Sequence, residues 1–149
     1  LEQFCYVRQS PLSEVEYFIS RCRLALSTED YVNAIRYADN AIEIAVEGDH
    51  YSWPRAYAAK GAVLVKLQKY ELAEHCFKVG LEHSMVSGYP YVQAILLHEY
   101  GVFLASRGRE VEARALLTQA MQGYSKLDAT SSVFDIQQLL ATITSAKSS

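Results

Sequence analysis

The sequence predicts an all-α chain in which three similar helix pairs stack as a solenoid and a seventh helix caps the end. Two observations predict it. No run of about four to eight residues alternates apolar and polar positions between turn residues, the period that a half-buried strand needs. The chain also repeats itself. Residues 61–80, GAVLVKLQKYELAEHCFKVG, moved forward by 40 meet residues 101–120, GVFLASRGREVEARALLTQA. Gly61 then falls on Gly101, Leu64 on Leu104, Ala73 on Ala113, Phe77 on Leu117 and Gly80 on Ala120. Moved back by 39, the same stretch meets Cys22, Ala25, Ala34, Ala38 and Ala41, with Tyr31 on Tyr70. Self-similarity at one such period marks a repeat architecture, in which no unit can bury its apolar face alone.

The elements follow in order. Ser10 as N-cap and Pro11 at the first helical position open a helix that runs through SPLSEVEYFISRCRLALS. Further helices are expected over roughly 29–46, 50–68, 69–86, 90–107, 109–126 and 130–146, with Gly48, Gly88 and Gly108 at the joints. Units of about 12–48, 50–88 and 90–128 result, within a repeat domain of 10–149 that residues 1–9 precede as an N-terminal extension. One step of 40 past Gly101 reaches Ala141, so helix 130–146 has no partner after it. It should cap the stack by burying Phe134, Leu139 or Leu140, and Ile143 against the third unit.

The small residues have a physical purpose. Side chains at a helix crossing set how closely the two axes approach. Gly61 and Gly101 should face Ala73 and Ala113 across each pair, with Phe77 and Leu117 filling the wider space beside the crossing. Gly80 and Ala120 should admit the first helix of the next unit.

Ala73-x3-Phe77, with Gly61 three residues before Leu64 and Tyr57 four before Gly61, resembles the tetratricopeptide repeat. The resemblance covers residues 12 to about 146. Its long units are similar to those of kinesin light chain, LGN-type adaptors and MalT- and Rap-like bacterial regulators, and they lack the proline that usually closes a unit. The resemblance implies a right-handed superhelix whose first helices line a concave groove that binds a protein or peptide partner.

On the first helices, the side turned away from the second helix then offers Ile19, Arg23 and Leu26 in unit one and Tyr51, Arg55, Ala58, Ala62 and Val65 in unit two. Unit three adds Tyr91, Ile95, His98 and Val102, and the last helix Gln138. Chaperone-type members hold a terminal carboxylate with lysines and asparagines; here the matching places carry Ile19, Ala58 and His98, then Arg23, Ala62 and Val102, so that clamp is not expected. An apolar floor remains, with tyrosines toward one rim and Arg23, Arg55 and His98 as scattered donors. Small Ala58 and Ala62 leave room for a helix or an extended segment.

Charge and composition exclude other classes. With 14 Lys and Arg against 17 Asp and Glu, the chain has a net charge of −3 and no basic stripe for direct contact with nucleic acid. No apolar run approaches the roughly 18 residues of a membrane span, and no signal-peptide pattern opens the chain. Cys5, Cys22 and Cys76 have no metal-type spacing and are expected to be reduced and inert, which suits a cytoplasmic protein. Leu1 in place of a start methionine raises the expectation of a domain cut from a longer protein.

No phosphate-binding loop, nucleophile elbow or zinc-protease motif occurs. Glu71, Glu74, His75 and His83 share a helix, but the two histidines lie eight apart, more than two turns. A solvated outer face is expected there, with no metal, cofactor or catalytic residue. The expected function is an interaction module; the alternative is a ligand- or pheromone-sensing segment of a larger signalling or transcription regulator. Self-association, or contact with the rest of a longer chain, is compatible with both.

Overall fold

A computed structural model describes residues 11–45 and 50–148. Among these residues there are seven helices and no strand: α1 Pro11–Ser27, α2 Tyr31–Ala45, α3 Ser52–Lys66, α4 Tyr70–Ser87, α5 Pro90–Ser106, α6 Glu110–Lys126 and α7 Thr130–Ser148. Every helix packs on the next, most extensively within the pairs α1/α2, α3/α4 and α5/α6. The first helices of the pairs also touch one another, α1 against α3 and α3 against α5. No helix among the described residues is long and apolar enough to cross a membrane. Ser10, Gly48, Cys5 and the extension 1–9 lie outside the described residues.

The repeat is visible in the core. Ala34, Ala73 and Ala113 are buried at one register, then Ala38, Phe77 and Leu117, then Ala41, Gly80 and Ala120, then Ala45, Ser84 and Tyr124. Each set steps by 39 and then 40 along the chain, and within each helix the four positions follow the three- and four-residue spacing of one helix face.

The turns inside the pairs repeat as well. Glu29, Gln68 and Gly108 hold φ of 62°, 60° and 77° at equivalent places. After each, the next residue's N–H reaches back to the helix: Asp30 to the Ala25 carbonyl, Lys69 to Leu64 and Arg109 to Leu104, at 2.9, 2.9 and 3.0 Å. This is the left-handed C-terminal motif that satisfies the last helical carbonyls. Only one of the three uses glycine.

The crossings differ from expectation in one respect. A Cβ built on Gly61 would meet the Phe77 ring at 2.9–3.0 Å, and one on Gly101 would meet Leu117 Cγ at 2.7 Å. The glycines therefore make room for the large residue of the facing helix rather than for Ala73 or Ala113. Unit one uses the reverse assignment, with Cys22 in the glycine's place and Ala38 in the filler's place, both buried in one cluster. As the first helix gains a side chain at the crossing, the second loses one. Gly80 behaves as expected: a Cβ there would lie 2.7 Å from Leu96 of the next unit's first helix and 3.0 Å from the Pro54 carbonyl oxygen.

The last helix corrects a second expectation. α7 buries Ile136 and Ile143 completely or nearly so, with Leu139 and Leu140 packed beside them. Phe134, by contrast, is 58% exposed. Ile136 and Ile143 lie seven apart, two turns of one face, and Phe134 falls off that stripe. Phe134→Ser is accordingly expected to shift stability by no more than about 0.5 kcal/mol, read as an unchanged thermal melt; a clear loss would place Phe134 in the core.

The outer charges of α4 also do more than face water. Glu74 accepts from Tyr100 Oη at 2.9 Å and from Arg109 Nη1 at 2.8 Å, tying α4 to α5 and to the start of α6. The Arg109 guanidinium holds the Glu74 carboxyl below its ordinary value. His83 lies against the Trp53 ring at 3.9 Å, while Glu71 and His75 are exposed as expected. No group of three metal-ligating side chains occurs among the described residues. Cys22 and Cys76 are free and buried, and burial pushes the Cys22 thiol up to about 11, which disfavours the reactive thiolate.

Candidate partner-binding groove

Where α1, α3 and α5 lie side by side, a cleft of about 490 Å³ opens. Leu26 comes from α1, Ala62, Val65 and Lys66 from α3, and His98, Glu99, Val102, Phe103 and Ser106 from α5. The Phe77 ring borders it from α4 and is itself only 2% exposed. It can lie there because Gly61 puts no side chain in its path. The glycine of the crossing thus shapes the floor of the cleft. The walls are mostly apolar, and Val102 stands 42% exposed on one of them.

The structure brings Ala62, Val65, His98 and Val102 together, with Leu26 opposite. Arg23 stands at the edge, where its Nη2 donates to Glu99 Oε1 at 2.6 Å and links α1 directly to α5. Two expected groove residues are corrected: Ile19 is 5% and Ala58 0% exposed, so both are core and offer a partner no surface. Ile19 packs with Val15, Ala41, Ala45 and Ala56, because α2 and α3 close over that part of α1.

The remaining residues stand apart from the cleft. Arg55 pairs with Glu16 of α1 and lies over the Tyr51 ring at 5.5 Å, and Tyr51 meets Tyr89 edge-on at 5.4 Å. Tyr91 stands 6.1 Å from Tyr124, Ile95 packs on the core, and Gln138 is exposed on α7. Arg23 and Arg55 are thus both engaged by carboxylates of their own chain rather than standing as free donors. His98 Nδ1 lies 3.4 Å from Tyr124 Oη, and burial lowers its pKa, which favours the neutral ring near pH 7.

Sequence reasoning passed over Glu99, Phe77, Phe103 and Lys66 as parts of this cleft. A stripe of one residue per turn is narrower than a cleft between three helices, and neighbouring His98 and Glu99 both reach it. A signal for Glu99 was present: it is the only Asp, Glu, Lys or Arg in the 17 residues of α5. No family model matches the chain, and no curated protein or solved structure matches it.

Proposed function

We propose that the chain is an interaction module of the tetratricopeptide-like type, a right-handed helical stack that binds a peptide or helical segment of a partner protein in the cleft between α1, α3 and α5. The observation that carries the reading is the cleft itself: a mostly apolar floor, open to solvent, built at one register from three repeated helices. Small Ala62 in its lining lets a backbone approach closely, and Val65 and Val102 supply apolar area. Such a face serves association, because exposed contiguous apolar surface marks a site of interaction.

Ala62→Glu tests it. Ala62 is half-buried on the cleft side, so a glutamate there can extend into solvent and the melting temperature should stay within about 2 °C of wild type. Peptides selected from a random displayed library on the wild-type chain should lose binding to the variant, which blocks close approach and confronts apolar side chains with a charge. Selected peptides that bind Ala62→Glu as well as wild type would remove the cleft from the reading.

The volume of the cleft also falls in the range of small-molecule sites, roughly 300–1,000 Å³. Ligand sensing is the second reading on that ground. Its mark would be a small apolar molecule that raises the melting temperature of wild type and not of Ala62→Glu.

A further inference from the structure

We propose that the occupant of the cleft is a peptide segment that sets one Lys or Arg side chain, flanked by apolar residues, against Glu99. This rests on the peptide-binding reading above and names the chemistry of the anchor. Glu99 is the lone acid on an otherwise uncharged helix, and it lines the most apolar cleft described. Its carboxylate is only half engaged. Oε1 accepts from Arg23, whereas Oε2 is covered by protein atoms and has no donor among the described residues.

A carboxylate offers acceptor positions on both oxygens, and a covered oxygen without a donor is the costly state of the group. The carboxylate torsion of a glutamate is soft and roughly two-fold, so a small rotation presents Oε2 to the cleft. A guanidinium or ammonium arriving there would make a charge-assisted bond in apolar surroundings, where such bonds are strongest. Arg23 keeps Oε1 and acts as a positioning residue.

The other charges of the cleft do not compete for this role. Lys66 ends α3 and is exposed. Water solvates it and the carbonyl end of the helix favours a cation, so its surroundings call for no anion. His98 sits beside Glu99 but burial favours its neutral form, and its nearest polar neighbour is Tyr124. An acidic anchor would have to approach Glu99 itself. A segment with one basic side chain among apolar ones meets both the floor and the orphaned oxygen.

The experiment selects random short peptides displayed on phage against the wild-type chain, then measures synthetic versions on wild type, Glu99→Gln and Ala62→Glu. The selected peptides should share one Lys or Arg among apolar residues. Their affinity should fall about ten- to a hundredfold on Glu99→Gln, and by a similar factor when their basic residue is changed to Gln. The two changes combined should cost little more than either alone. Should Glu99→Gln fail to fold, the peptide-side change on the wild-type chain still decides.

Acidic or uncharged peptides, or undiminished binding to Glu99→Gln, would overturn the basic anchor while the peptide reading stands on loss of binding to Ala62→Glu. Failure to find any peptide that depends on Ala62 overturns both. A dimer in sedimentation that Ala62→Glu dissolves would make a second copy the occupant and overturn the basic peptide.

Discussion

Gly80→Val is expected to lower the melting temperature by roughly 10 °C, from an overpacking cost of about 3 kcal/mol. Gly80 is where unit two meets unit three. The first atom a Cβ would meet, Leu96 Cδ1 at 2.7 Å, ends a side chain that can turn aside. The second, the Pro54 carbonyl oxygen at 3.0 Å, is backbone at the start of α3 and cannot. Tyr57 Cβ at 3.4 Å closes the third side. A β-branched side chain placed there must push α3, α4 and α5 apart. Gly88→Ala is the control: its φ of 77° disfavours a side chain, yet nothing lies within 4 Å. Strain alone should cost about 1–2 kcal/mol there. Thermal melts of both variants check this. If Gly80→Val were as mild as Gly88→Ala, α5 would not pack against α4 as described.

The equivalents of Gly80 show why this much was legible in the sequence. Ala41 and Ala120 occupy its place in the other units and are completely buried. A repeat multiplies the evidence for each core position, because three residues must satisfy one geometry. So the paired helices, their order and the buried face of each second helix could all be read from the 39–40 step. The turns were less legible residue by residue. Of the three turns inside the pairs, glycine marks only the one at Gly108, whereas Glu29 and Gln68 take the same left-handed conformation without it. The C-terminal hydrogen bonds of α1 and α3 outweigh the local preference of those residues.

The cleft was harder to read for a different reason. Spacing along one helix says which residues share a face, but not how far the neighbouring helices cover it. Ile19 and Ala58 share the predicted stripe with His98, and yet both are core while His98 borders the cleft. The Arg23–Glu99 pair joins α1 to α5 across the width of α3, a contact between helices that no periodicity relates. Phe77 entered the reading as a spacer at the crossing. That its ring passes over Gly61 and borders the cleft follows from the glycine, so a core side chain backs the cleft.

Leu117→Ala is expected to destabilise the chain by about 2–5 kcal/mol, since a completely buried leucine is lost and a cavity is left. Its interest lies in the partner. A Cβ on Gly101 would come within 2.7 and 2.8 Å of Leu117 Cγ and Cδ2. Gly101→Ala alone should therefore be destabilising, although alanine is the better helix former by roughly 1 kcal/mol. In the Leu117→Ala background that clash is absent. The new methyl then fills part of the cavity and the helix preference is recovered, so Gly101→Ala should become neutral or stabilising. The double-mutant cycle should give a coupling of about 1–3 kcal/mol. Unit one already carries a version of the double variant, with Cys22 and Ala38 at these places. Denaturant unfolding of the four chains measures the coupling. Additive effects would mean that the glycine and the leucine do not share the crossing, and the same doubt would fall on Gly61 and Phe77.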